Sequence, residues 1–447
     1  MPNFRSRRAL LCSALVLLVV VVAVFASACG GGTTTTTAAA PATTATTAAP
    51  ASTDTTAAPA ETTTSAAATD TTAGAASAAG FTFGMLLVGP YNDHGWSQAN
   101  FEAGQYVEQK TGAKMVYVDK VNTSDRPGTT PDQLAEDLVS QGAKIIFFTS
   151  DDMKDGAIAF AKAHPDIPVE FTSGDSAWKD GKDYQNLPNL SDIMGREEYM
   201  KMIAGAAAAL TTQTGKIAYL GPLINDETRR LASSVYLGAK YEWVNVLHKD
   251  PAQLKFTVNW IGYWFNIPGQ TSDPTQVADN FFNSGYDVVI SGIDTTEALV
   301  EAGKMAATGK KVWAIPYDFA GSLDEAPTVA LGVPYYNWGP AYVKAVTLAA
   351  QGKWTSYFEW NGPDWSDINN PDTSAVGFKK GEGLSADNSA KLDDFIKALG
   401  GGLNLWKGPL NLQDGTAYLK DGEAATDLQI WYLPQLLQGM EGQSVSK

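Results

Sequence analysis

Carboxylates and tryptophans gather where apolar segments of this chain end. Asn92-Asp93-His94-Gly95-Trp96 follows one such segment, and Thr149-Ser150-Asp151-Asp152 follows another. Farther along come Asn225-Asp226, Asp294-Thr295-Thr296 and Pro316-Tyr317-Asp318. A carboxylate accepts N–H and O–H donors, and an indole face covers a flat ring. Together these residue types suit the recognition of a small polar ring compound. Each aspartate also has a plainer reading as a helix N-cap, since Asp93 and Asp151 both precede helical stretches. Trp96 is the stronger site residue, because a large ring in a strand-end turn is costly unless covered. Of Trp260 and Trp264, one reads as core and the other as facing the cleft. Trp338, in Asn337-Trp338-Gly339-Pro340, reads either as hinge packing or as part of the site.

Patterns for other chemistry are missing. The three histidines, His94, His164 and His248, show no metal-ligand spacing. No nucleophile elbow, P-loop or HExxH motif occurs, and Gly377–Gly383 is a weak phosphate signal because no clear strand precedes it. No enzyme activity, cofactor or metal is therefore expected.

The elements that must hold these residues alternate. Phe81–Val88, Met115–Asp119 and Lys144–Phe148 read as strands, with helices at Ser97–Lys110 and Leu134–Ser140 between them. Continuous apolar strands alternating with helices indicate a parallel sheet covered on both faces. The second half echoes the first. Ala218–Asp226 repeats the pattern of Leu87–Asp93, and Ser284–Ser291 that of Gln141–Phe148. The expected fold is α/β, with two Rossmann-like lobes of parallel sheet joined by a multi-strand hinge. Ligands in open parallel sheets bind beyond the C-terminal strand ends, where the candidate residues fall. The reading places lobe 1 at 81–190 and lobe 2 at 191–330. The chain first crosses near 185–195 and returns near 325–335, with a helix over Pro340–Gln351 rejoining the first lobe. The stretch 331–435 then forms the return, hinge and C-terminal trim, and 436–447 is a tail.

The start of the chain places it. Arg5, Arg7 and Arg8 precede an apolar run from Ala9 to Phe25, then Ala26-Ser27-Ala28-Cys29. This is the grammar of a signal peptide over 1–28. It resembles a bacterial lipobox, with Cys29 as the lipidated residue. Residues 29–80, nearly all Ala, Thr, Ser, Gly and Pro, cannot bury enough apolar surface to fold. They read as a pliant spacer with a reach of roughly 40 Å. The expected location is extracytoplasmic, on a lipid tether at the cell membrane.

The chain carries 48 acidic against 32 basic residues, a formal charge of −16. The first 28 residues hold three of the arginines and no acid, so the remainder lies near about −19. Such a surface repels phosphate backbones, which argues against a nucleic-acid partner. The two cysteines are Cys12 and Cys29, which leaves the folded part without disulfide or thiol chemistry.

With these residues in place, the chain resembles the basic membrane protein family of lipoproteins. The likeness runs over about residues 81–435. It rests on Asp93-His94-Gly95-Trp96, Thr149-Ser150-Asp151, the helix Tyr199–Ala207, Asn259-Trp260 with Trp264-Phe265, Asn337-Trp338-Gly339-Pro340 and Trp406–Leu410. The resemblance implies a type I periplasmic binding protein serving an ABC importer, probed by its permease, with a purine base or nucleoside as ligand and a monomeric state. It carries the ligand-binding role to Asp93, Ser150, Asp151, Asp294 and Asp318, with Trp96 and Trp264 as stacking rings. Gly95-Trp96 replaces the Ser-Phe of the nucleoside-binding branch and resembles a branch associated with free purines. The alternatives are a simple-sugar receptor of the same fold, a receptor that only signals, and an extracellular glycoside or nucleoside hydrolase.

Overall fold

The computed structural model describes residues 77–446. The signal peptide, Cys29 and nearly all of the expected spacer lie outside the described residues. The first lobe runs β1 (Thr82–Leu86), α1 (Trp96–Thr111), β2 (Lys114–Val118), α2 (Pro131–Ser140), β3 (Ile146–Phe148), α3 (Lys154–Ala163), β4 (Val169–Thr172) and β5 (Leu190–Gly195). The second runs α4 (Glu198–Thr211), β6 (Lys216–Gly221), α5 (Asp226–Tyr241), β7 (Lys255–Trp260), α6 (Pro274–Asn283), β8 (Val288–Ser291), α7 (Glu297–Ala307) and β9 (Trp313–Ile315). The remainder comprises β10 (Gly332–Tyr336), α8 (Gly339–Ala350), β11 (Phe358–Asn361), β12 (Val376–Lys380), α9 (Ala386–Gly400), β13 (Leu410–Asn411), β14 (Ala417–Leu419), α10 (Asp427–Trp431) and β15 (Met440–Glu441).

Local chemistry sets these boundaries. Gly112 ends α1 in the left-handed region at φ 73°, where a side chain would be strained. Thr130 and Gln133 close a capping box over α2, with Pro131 in its first turn. Asn225 and Thr228 do the same for α5. Several central strands are apolar and fully buried, as in Ile146-Phe147-Phe148 and Val288-Val289-Ile290.

The sheets share one topology. The first has the order β11-β5-β4-β3-β1-β2 and the second β15-β7-β6-β8-β9, all pairs parallel. In each, the lobe's first strand lies between its second and third, so the chain reverses direction of travel there. The echo seen in sequence falls on these strands, β1 with β6 and β3 with β8. Ligand crevices form at such switch points.

The structure departs from the sequence reading in three places. The first lobe keeps the chain through Gly195, because β5 pairs with β4 and β11. The stretch expected as trim contributes β11 to the first sheet and a 15-residue helix, α9, packed on α4. The expected tail adds β15 to the second sheet beside β7. The glycine-rich stretch at 377–383 is partly β12 itself, antiparallel to β10, with Tyr335 lying over Gly377. It forms no phosphate loop. Helices α4 and α5 cross closely because a Cβ at Gly205 would overlap the Val235 carbonyl oxygen. One at Gly238 would overlap that of Met202.

Candidate ligand-binding cleft

The strand ends of the two lobes face one another and enclose about 390 Å³ of empty space, part of it open to solvent. Trp96, Ser150, Asp151 and Ser173 line it from the first lobe. Tyr219, Glu227, Trp264, Asp294 and Tyr317 line it from the second. Direct ties close the lobes on each other. Tyr263 Oη donates to Asp152 at 2.8 Å, Asn225 Nδ2 donates to Asp151 at 3.4 Å, and His94 Nδ1 lies 2.6 Å from Glu325. Gly95 is a point of close contact, since a Cβ there would overlap the Asp294 carbonyl oxygen.

Trp96 opens α1 and is fixed on two sides. Its Nε1 donates to the Thr149 carbonyl at 2.5 Å. Its ring meets Tyr336 at 5.2 Å and Trp338 at 5.5 Å, both edge-on. Trp338 is 2% exposed, stacks on Tyr336 at 4.6 Å, and lies outside the cavity wall. Of the two readings open for Trp338, it occupies the packing one and backs Trp96. Trp264 lines the cavity, and its carbonyl accepts the Asp294 amide at 2.9 Å. Trp260 instead ends β7 and donates to the Gln443 carbonyl at 2.7 Å.

The two aspartates offered as either caps or ligand groups divide. Asp93 accepts the amides of Gly95, Ser97 and Gln98 at 2.9–3.0 Å, which satisfies the first turn of α1 from two residues before its N-cap, Gly95. It does not line the cavity. Burial raises its pKa, and those amide bonds act against the rise. Asp151 is spared because Ser150 takes the capping role, accepting the Asp152 amide at 3.3 Å. The Asp151 carboxylate therefore stays available in the cavity, its pKa raised by burial.

Asp294 lines the cavity, 5% exposed, and burial holds its pKa well above the ordinary range. Asp318, Asp93 and Glu227 reinforce that rise by repulsion. Asp318 lies beneath the wall, fully buried, with neither carboxylate oxygen hydrogen-bonded and a backbone φ of 70°. It does not itself line the cavity.

Several groups escaped the sequence reading. Lys201, inside the alanine-rich α4, donates to the Ser291 carbonyl at 3.1 Å and sits 2.9 Å above the Tyr317 ring. Burial lowers its pKa to about 7, against the pull of Asp318, Glu197 and Glu227. Glu227 is raised by burial to about 7. Glu197 is buried with both oxygens unpartnered. Ser173 follows β4, a strand the sequence reading did not recognise. Glu227 carried a usable signal, standing directly after the strand-end pair Asn225-Asp226. Among the described residues, no group of three His, Cys, Asp or Glu is placed to hold a metal ion.

Twin parallel sheets closing on a cleft of rings and carboxylates define a two-lobed solute receptor of the type I periplasmic-binding class. A solved ABC transporter solute-binding protein from Aeropyrum pernix K1 has this fold, with a TM-score of 0.57 over 74% of this chain and 93% of its own, at 12% identity. The chain belongs to the PnrA-like family of ABC transporter substrate-binding proteins (Bmp), whose model matches residues 81–381. A purine-binding protein of Brucella abortus (strain 2308) is 26% identical over 279 residues, 62% of this chain and 71% of that protein. An ABC transporter nucleoside-binding protein of Lactococcus lactis subsp. cremoris (strain MG1363) is 26% identical over 239 residues, 51% of this chain. The chain covers 60% of that second relative's length.

Proposed function

We propose that the protein is an extracytoplasmic lipoprotein, anchored through Cys29, that captures a purine base or nucleoside and presents it to an ABC permease. The observation that carries the ligand class is the pairing of Trp96 and Trp264 around one cavity with Asp151 and Asp294 in its wall. A purine offers two π-faces to indoles, each stacking contact contributing about 1 kcal/mol beyond burial. Its edge alternates N–H donors with ring-nitrogen acceptors. A carboxyl group whose pKa is raised toward neutrality serves either kind, accepting when ionised and donating when protonated. The same crowding of acids disfavours phosphorylated ligands. The names of the two curated relatives support this reading.

Only interactions that differ between open and closed lobes drive closure. A ring held between Trp96 and Trp264 touches both lobes and so favours the closed form, which a permease can distinguish from the empty receptor. Titration calorimetry of residues 77–447 against adenine, guanine, hypoxanthine, their nucleosides and common monosaccharides tests the assignment. Saturable binding of a purine is expected. Tight binding of a monosaccharide with no purine response would overturn it in favour of the sugar receptor.

A further inference from the structure

Beyond residue 381, where the family match ends, the chain comes back to the side of the cleft and binds both lobes at once. Helix α10 and the two residues after it carry the contacts. On the first-lobe side, the Tyr432 hydroxyl donates to Asp175 and accepts the Lys182 amide at 2.6 Å. Its ring lies parallel to that of Trp178, the centroids 6.1 Å apart. On the second-lobe side, the carbonyl of the next residue, Leu433, accepts Arg229 Nε of α5 at 2.7 Å. Adjacent residues are thus bound to opposite lobes, and the lobes cannot part here without breaking one set of bonds.

The two attachments differ in kind. Leu433, Leu436 and Leu437 are buried, Trp406 donates to Ser234 of α5 at 3.2 Å, and β15 pairs with β7. Apolar burial and sheet pairing fasten this end to the second lobe. The attachments to the first lobe are polar and reach solvent. Tyr432 is half-buried, and Asp427, its side chain 52% exposed, accepts from both Nη atoms of Arg196 at 3.0 and 2.5 Å. Arg196 lies in the first crossing between the lobes, directly after β5. Trp431 stands between these clasps, edge-on to Trp360 at 4.8 Å, with the Arg230 guanidinium 4.3 Å over its ring. Arg196 in turn covers Trp360 at 4.1 Å, so this stack sits at the crossing, where rotation of the lobes moves atoms least.

We propose that residues 427–433 form a strap, anchored in the second lobe and clasped to the first, that sets how far the empty receptor opens. The clasps of Tyr432 and Asp427 form only while the lobes are together. They therefore add to the closed population before any ligand arrives. Affinity for a ligand that needs both lobes rises in proportion to that population. Without the clasps, ligand contacts alone must drive closure.

Hydrogen–deuterium exchange of the whole chain without ligand tests the strap, and its result stands apart from the identity of the ligand. Tyr432→Phe deletes one oxygen, and Asp427→Asn keeps the shape of its clasp while removing the charge. Exchange follows the population of the open form. Each variant should speed it about tenfold across residues 92–98 and 292–296, the worth of one charge-assisted hydrogen bond. Those segments face each other across the cleft, where Gly95 meets the Asp294 carbonyl. Strands β3 and β8 should keep their original rates. Unchanged exchange in the cleft segments, with any gain confined to residues 173–189 and 427–433, would mean a local clip without hold on the hinge and overturns the strap. An equal gain in β3 and β8 also overturns it, because the two side chains would then serve general stability.

Discussion

The two walls of the cleft are built on one topology but finished differently. On the first lobe three polar groups at the strand ends are tied within the protein. Trp96 bonds to Thr149, Ser150 to the Asp152 amide, and Asp93 to three amides. On the second lobe and the hinge beside it, Asp318 and Glu197 hold four unpartnered carboxylate oxygens around a single buried lysine, Lys201. The contrast separates two tasks. A hydrogen-bonded wall presents a fixed shape, whereas Asp318, behind the second wall, acts on the cavity through its repulsion of Asp294, which does line it.

The strongest test of this contrast is Glu198→Ala. It strips the buried Arg230 of its partner at 2.6 Å and should lower unfolding free energy by about 3–5 kcal/mol. Urea denaturation measures it, and a loss below about 1 kcal/mol would mean that the second lobe is not holding charge under tension. The next test compares the two indoles. Trp96→Ala should cost about 3 kcal/mol or more of stability. Trp264→Ala should cost about 1–2 kcal/mol less, lacking the Thr149 bond and the two edge-on rings. Equal losses would break the asymmetry between the walls.

The last test is in pH dependence. Burial raises Asp318 above its unfolded pKa, as it does Asp294, Glu197 and Glu227, which face it together with Asp93 and Lys201. The folded state then binds protons that the unfolded chain has already released. Stability of the ligand-free protein therefore falls as pH rises from the ordinary carboxylate range toward neutrality. Lys201, lowered to about 7, acts oppositely above that pH, where the unfolded lysine still holds its proton. Asp318→Asn should flatten the decline between about pH 4 and 7 by no more than about 1.4 kcal/mol per unit. Thermal melts across that range read the slope, and an unchanged slope would place the titration elsewhere.

Strand grammar and the internal echo made the sheets and their switch points readable before any coordinates. Strand-end position then nominated Trp96, Ser150, Asp151 and Asp294, and the family resemblance Trp264, all of which line the cavity. What it could not separate was Asp93 from Asp151. The same residue type precedes a helix in both places, and the outcome turns on whether a neighbouring serine takes the cap. Trp338 stayed open between packing and site, because its contact with Tyr336 belongs to the return crossing. Lys201 and Glu197 stand four positions apart, but what ties them to the cleft is Asp318, a counter-charge to Lys201 and a like charge to Glu197 that lies more than a hundred positions away. The C-terminal strands were missed because they are short and pair with strands far earlier in the chain, β11 with β5 and β15 with β7.

Those late strands bear on how the molecule is made. Each sheet takes an edge strand from the far end of the chain, so β5 waits for Phe358–Asn361 and β7 for Met440–Glu441. Until then both present a row of unpaired N–H and C=O groups to any passing strand. Completion of the second sheet comes long after the strand it covers, where Thr257 meets Glu441 and Trp260 meets Gln443. A chain cut short before Met440 keeps its lobes but loses the cover on that edge. Its characteristic failure is self-association of otherwise folded molecules, edge to edge, with the cleft intact.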